Sequence, residues 1–375
     1  MFKLNKKAAI LLILLVGLII SLFAQTVYGE YGEHNDYRKN EIVLRGKVID
    51  VQDFQSESDY IMLEQRVEVE VTSGEYQGEV FTVKNTLMDH YYDFYLEEGQ
   101  EILLLAELED GLIGNVYFKE MVRDKYLYYF IGIFIFLLLL VGGKKGFKTI
   151  IALGFTGFVI IKMLLPLILQ GYNPILTSVV LASATAIFTL LIIGGLEKKT
   201  IAAIVGTIFG VLTAGFLALW IGNLAHLTGF SSEEAQMLMY MDNVEIDVRG
   251  ILFAGIIIGS LGAVTDVGIS IASAVSEVVK VNPRIDSYSL LVSGINVGRD
   301  IMGTMANTLI LAYVGSATPL LLLITGYEMP WIKVSNLDLI ATEIVRSVAG
   351  SIGLVITIPV TAIVAAWLFK TGSSR

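Results

Sequence analysis

The sequence predicts a polytopic α-helical membrane protein of about eight spans, two of them broken or re-entrant, with a small exported β-barrel of OB type near its N-terminus. Three observations carry this prediction. Apolar stretches longer than about 18 residues, enough to cross roughly 30 Å of hydrocarbon, recur after Tyr126. Before Tyr126 the chain reads instead as short alternating runs such as Val67-Glu68-Val69-Glu70-Val71, the period of a half-buried strand. Over all 375 residues the hydrophobic share is 55% and the mean hydropathy +0.70, which is not the balance of a soluble globular chain.

Charge divides the chain at the same place. Between Gln25 and Lys125 there are 23 acidic and 9 basic residues, against 13 and 17 in the remainder. An acidic soluble part is thus joined to a slightly basic membrane part, which argues against nucleic acid as a partner. There are no cysteines, so disulfides, thiol nucleophiles and thiolate metal sites are excluded. The three histidines, His34, His90 and His226, share no metal-ligand spacing, and no cofactor motif is present.

Residues 1–25 form the first segment. Lys3, Lys6 and Lys7 precede the apolar run Ala8–Ala24, which is either a signal peptide or a membrane anchor. Leu22-Phe23-Ala24 is a poor small-x-small cleavage site, and this favours the anchor. Residues 26–125 form an extracytoplasmic β-rich domain. Its strands are expected at Ile42–Val51, Arg66–Val71, Val80–Val83, Glu101–Leu108 and Leu112–Phe118, with a hairpin turn at Asp110-Gly111. The aromatic cluster Tyr91, Tyr92, Phe94 and Tyr95 is expected to cap the barrel or to lie on the bilayer interface.

Residues 126–375 form a seven-span helical domain, with spans at 127–143, 149–169, 175–195, 200–222, 249–279, 288–325 and 339–369. Lys144, Lys145, Lys148, Lys198, Lys199, Lys280, Arg284, Lys370 and Arg375 then fall on the same side as the N-terminal lysines. The positive-inside rule puts both termini in the cytoplasm and residues 26–125 outside. These assignments together describe a multi-pass membrane protein.

Two spans are too long. Residues 249–279 would make a helix of about 46 Å, and residues 288–325 would exceed the hydrocarbon thickness by about 27 Å. Breaks are expected at Gly262–Gly268 and at Gly294–Gly298, because non-helical backbone is tolerated where protein encloses it. These stretches also hold the polar residues. Asp266, Ser270, Ser273 and Glu277 share one helical face, and Asn296, Arg299, Asp300, Thr304 and Asn307 interrupt the next apolar run. Ionisable groups at membrane depth cost about 2.5–3.5 kcal/mol each and normally face an interior, a cavity or a partner charge. The candidate substrate or ion site is therefore Asp266, Ser270, Glu277, Asn296, Arg299, Asp300, Thr304 and Asn307. Arg299 is the counter-charge, with Asp266 as its expected partner.

A surface reading competes with it. If residues 249–268 and 301–325 each cross alone, the charges lie near the cytoplasmic headgroups. Gly262, Gly268, Gly294, Gly298 and Gly303 serve as hinges or as packing positions. The small-xxx-small pairs Gly255/Gly259 and Gly294/Gly298 favour packing and fit a homo-oligomer. Glu343 and Arg346 read as a local pair, and Pro359 as a kink. No nucleophile elbow, zinc-protease helix or phosphate loop occurs, and an intramembrane acid pair from Asp266 and Asp300 lacks any supporting signature. No catalytic role follows from the sequence.

The run Thr265-Asp266-Val267-Gly268-Ile269-Ser270-Ile271-Ala272-Ser273-Ala274-Val275-Ser276-Glu277, then Asn282-Pro283, then Ser293-Gly294-Ile295-Asn296-Val297-Gly298-Arg299-Asp300-Ile301-Met302-Gly303-Thr304-Met305-Ala306-Asn307-Thr308-Leu309, resembles the YibE/F family of bacterial multipass membrane proteins. The resemblance implies an integral plasma-membrane protein and supplies no substrate. Two functions remain open. One is a permease-like protein moving a small solute or cation through a broken-helix site. The other is a membrane scaffold or assembly factor whose exported domain binds an envelope partner. Besides the lipid bilayer, the partners expected are a second copy or that envelope protein.

Overall fold

The computed structural model describes residues 41–55, 63–87, 94–109, 112–240 and 246–370. They divide into two compact units at Leu137/Leu138.

The first unit holds five strands: β1 (Glu41–Phe54), β2 (Leu63–Val71), β3 (Val80–Leu87), β4 (Glu101–Glu109) and β5 (Leu112–Met121). All five predicted strands are present, each longer than expected. The antiparallel sheet runs β3-β2-β1-β4-β5, and β3 also approaches β5, so the barrel nearly closes. The alternation explains the core: Val67, Val69 and Val71 point inward with Leu44, Val48, Val83, Ile102 and Leu104. A register shift between Val48 and Asp50 gives β1 the bend it needs to pair with both β2 and β4. Buried Gln65 fastens the segment before β4. Its Nε2 donates to Asp53 Oδ1 at 3.0 Å and to the Leu96 carbonyl at 3.2 Å, while its Oε1 accepts from Asn85 and from the Leu96 N–H, both at 2.9 Å. Tyr95 donates to Asp53 Oδ2 at 2.6 Å, and the Phe94 ring meets Phe118 edge-on at 6.3 Å. Both aromatics therefore pack on the barrel. Tyr91, Tyr92, the Asp110-Gly111 turn and the Ala8–Ala24 run lie outside the described residues.

The helices are α1 (Asp124–Val159), a π-turn at Ile160–Leu164 leading into α2 (Leu165–Leu169), α3 (Pro174–Gly194), α4 (Lys198–Leu224), α5 (Glu233–Met237), α6 (Val248–Val281), α7 (Ser287–Ser316), α8 (Thr318–Gly326), α9 (Trp331–Val334) and α10 (Asp338–Lys370). Among the described residues five helices are long and apolar enough to cross a membrane, or six with the bent α7–α8 pair counted as one span. The expected spans 127–143 and 149–169 appear as one stretch broken at Gly143, whose φ of 51° and ψ of −126° lie outside any helix. A β-carbon on Gly146 would overlap the Leu138 carbonyl, eight residues back and about 12 Å away in a straight helix, so the chain bends sharply there.

The core of the second unit is α6, which packs against α3, α4, α7 and α10. Glycines set the spacing. Gly268 lies on Thr207 and the Ala203 carbonyl of α4, Gly294 on Val275 and Ala362, and Gly298 on Ile271 and Ile358. Small residues let backbones approach where lipid supplies no hydrophobic drive. Two expectations are corrected on this basis. Helix α6 runs unbroken for 34 residues through Gly262–Gly268, and α7 for 30 residues through Gly294–Gly298. Gly268, Gly294 and Gly298 fill tight helix crossings and do not interrupt the helices. The second overlong segment is indeed broken, but at Ala317, where α8 turns away by 63°. Pro319 sits in the first turn of α8 and has no N–H for the Gly315 carbonyl, so the α7 ladder ends there.

Candidate functional site

A cleft of about 420 Å³ lies between the later part of α1, the π-turn that follows it, α3 and α6, and Asp266 lines it. Three faces build it. Thr149, Ala152, Thr156 and Val159 come from α1, Ser178, Thr185 and Thr189 from α3, and Gly259, Gly262, Thr265 and Asp266 from α6. Apart from the adjacent Thr265 and Asp266, each set recurs at steps of three, four or seven, one helical stripe. From Ser178 to Ile193 the cleft follows α3 for about 22 Å at the helical rise, most of the hydrocarbon depth. Phe155 of α1 stacks on Phe188 of α3 at 3.7 Å between centroids and fixes the two walls together. The π-turn contributes Ile160 and Leu164. Its backbone shows the π register, Leu165 N–H donating to the Ile160 carbonyl, beside Pro166, which offers no donor of its own.

The hydroxyls of this cleft are mostly spent as donors. Thr149 donates to the Lys145 carbonyl at 3.1 Å, Thr156 to Ala152 at 3.0 Å, Thr189 to Thr185 at 2.8 Å and Thr265 to Leu261 at 2.6 Å. A hydroxyl that has given its proton to its own helix has only oxygen lone pairs to offer. Ser178 is fully buried and its Oγ has no hydrogen-bond partner among the described residues. Asp266 has no ion-pair or hydrogen-bond partner among the described residues. The cleft therefore presents mainly acceptor oxygens around one carboxylate, with the Ser178 and Thr185 hydroxyls as its remaining donors.

Helices α3 and α6 run parallel, with Gly250 against Pro174 at one end. Asp266 accordingly falls level with Leu190, roughly 24 Å from the Pro174 end and near the Gly194 end of the cleft.

The other residues of the predicted site separate from it. Ser270 lies one turn beyond Asp266 on the exposed side of α6 and does not line the cleft. Glu277 is exposed and paired with Lys280 at 2.6 Å, the surface arrangement. Asn296, Arg299, Asp300, Thr304 and Asn307 lie on an exposed face of α7, outside the cleft lining. Arg299 forms no ion pair with Asp266, which corrects the expected partnership. The antiparallel register of α6 and α7, Val275 by Gly294 and Ile271 by Gly298, brings Gly303 to the level of Asp266 and Arg299 to that of Ser270. Glu343 and Arg346 form the expected local pair at 2.7 Å, with the guanidinium 5.9 Å from the centroid of the Tyr313 ring. The cleft hydroxyls on α1 and α3 are absent from the sequence-predicted site. Their seven-residue spacings, Thr149/Thr156 and Ser178/Thr185, were the available signal.

No curated protein and no solved structure matches the chain. Residues 130–371 match the family described as YibE/F-like protein, and the chain belongs to that family.

Proposed function

We propose that this member of the YibE/F-like family is a permease-like plasma-membrane protein that moves a small cation along the α1–α3–α6 cleft, with Asp266 as its fixed charge. The observation that carries the reading is the chemistry of that cleft: one unpartnered carboxylate, an orphaned buried serine hydroxyl, and threonine hydroxyls whose protons are already committed. Acceptor oxygens around a carboxylate, with only the Ser178 and Thr185 hydroxyl protons uncommitted among the described residues, suit a cation better than an anion. The length of the cleft suits passage through the bilayer. In this reading both termini are cytoplasmic and the barrel, of OB type by its strand order, stands outside as the positive-inside rule requires.

The test is flux into vesicles holding the purified full-length chain, read with a trapped pH-sensitive or cation-sensitive dye. Asp266→Asn is expected to abolish flux while the protein stays monodisperse in detergent. Wild-type flux in that variant would overturn the assignment. If deletion of residues 30–122 removed function in cells while Asp266→Asn kept it, the scaffold reading with an envelope partner would replace it.

A further inference from the structure

Helix α7 has one packed face and one open face. Gly294, Gly298 and Leu309 pack against α6 and α10. On the opposite side Asn296, Asp300, Gly303, Asn307, Ile310 and Val314 are all exposed, at steps of 4, 3, 4, 3 and 4 residues. That is the period of a helix–helix seam. Arg299 flanks it, exposed, and neither Arg299, Asp300, Asn296 nor Asn307 has a partner among the described residues. Among the described residues nothing would lie within 4 Å of a β-carbon on Gly303. Lipid tails cannot satisfy such a face, and each charge left against them costs about 2.5–3.5 kcal/mol.

We propose that this face is the interface with a second copy of the chain, closed by reciprocal Arg299–Asp300 ion pairs across a two-fold axis. Two copies inserted in the same direction are related by an axis along the membrane normal, so residues at equal depth meet. Arg299 and Asp300 differ in depth by only about 1.5 Å. Arg299 of each copy therefore reaches the carboxylate of the other, and two like pairs form from one surface. Gly303, one turn on, admits close approach of the backbones, and Ile310 and Val314 continue the seam as apolar contacts. The chain's own Ala8–Ala24 run offers no ionisable side chain and only Ser21 as a polar one. It matches neither Arg299 nor Asp300, whereas a second α7 matches both.

The native chain has no cysteine, so crosslinking in native membranes is free of background. Gly303→Cys and Asn307→Cys in the full chain are expected to form disulfide dimers at least about tenfold above Met305→Cys on the packed side, the ratio a 1.4 kcal/mol preference produces. Equal crosslinking at all three positions, or none at 303 and 307, would overturn the proposal. The charge arm uses two differently tagged chains, each with Asn307→Cys. Arg299→Asp alone and Asp300→Arg alone should each lose the dimer, and co-expression of the two should restore a mixed dimer. An intramolecular role for the pair cannot give that rescue, so failure to recover mixed dimers when both chains insert sinks the reciprocal pairing.

Discussion

Gly210 of α4 and Gly353 of α10 face each other across a helix crossing so close that a β-carbon on either would meet the other's carbonyl oxygen, at 2.8 Å and 2.6 Å respectively. The obstacle on each side is backbone, which cannot rotate away. Gly210→Ala and Gly353→Ala are each expected to cost about 1–3 kcal/mol, the range for overpacking a tight core. Gly255→Ala, in α6, meets open space and should leave stability unchanged or slightly raised, since alanine is the better helix former. Thermal unfolding in one detergent ranks the three. A Gly255→Ala variant as unstable as the other two would refute the crossing as the cause.

Asp53 in the barrel supports a prediction about acid. Its carboxyl is held below the ordinary carboxylate range, first by the Tyr95 hydroxyl and then by Gln65, with slight desolvation opposing. A depressed folded-state value stabilises the fold above the unfolded value of about 3.9, and the stabilisation is lost as pH falls through the folded value. Tyr95→Phe removes the larger cause. The variant should therefore be less stable than the parent at neutral pH, with the gap narrowing as pH drops below about 3.9. Denaturation of the full chain followed by barrel-specific hydrogen exchange at the two pH values reads this directly. A gap independent of pH would assign the Tyr95 effect to packing alone.

The amount of this legible in the sequence follows from the range of the interactions involved. The strands are visible because Val67-Glu68-Val69-Glu70-Val71 states its period locally. Gly143 and Pro319 act locally too, and Pro319 near the end of 288–325 is a readable stop, overshadowed by the polar residues earlier in that run. The role of Gly268 was not legible. Whether a glycine breaks a helix or seats a neighbour depends on what stands opposite, here Thr207 and Ala203 of a distant helix. The same holds for the candidate site. Asp266 and Asp300 look like one cluster along the chain, but the α6–α7 packing puts one in a cleft and the other on an open face. The α1 and α3 hydroxyls that share the cleft with Asp266 sit 77 (from Thr189) to 117 (from Thr149) residues earlier, where only their spacing marks them.

The break between α7 and α8 yields a conformational prediction. Pro319 denies the Gly315 carbonyl its partner, and the axes diverge by 63°. With Pro319→Ala the ladder can continue, so spin labels on cysteines at 311 and 323 should move apart toward the straight-helix separation of about 18 Å. An unchanged label distance would mean that packing around α8, and not the proline, holds the bend.

Ser178 separates a transport pathway from a merely imperfect core. Its hydroxyl is fully buried and without a partner, and an orphaned buried donor typically costs about 1–3 kcal/mol. Ser178→Ala should therefore raise the unfolding temperature of the full chain, because the uncompensated group is gone. If the cleft conducts, the same change removes one oxygen from a route whose other hydroxyls, Thr185 and Thr189, lie on the same stripe of α3. Flux should then fall while stability rises. A stabilised variant with undiminished flux would place the pathway elsewhere, even if Asp266→Asn abolished transport, because Ser178 and Asp266 stand near opposite ends of the cleft. A destabilised variant would show instead that the Ser178 hydroxyl has a structural partner in the membrane.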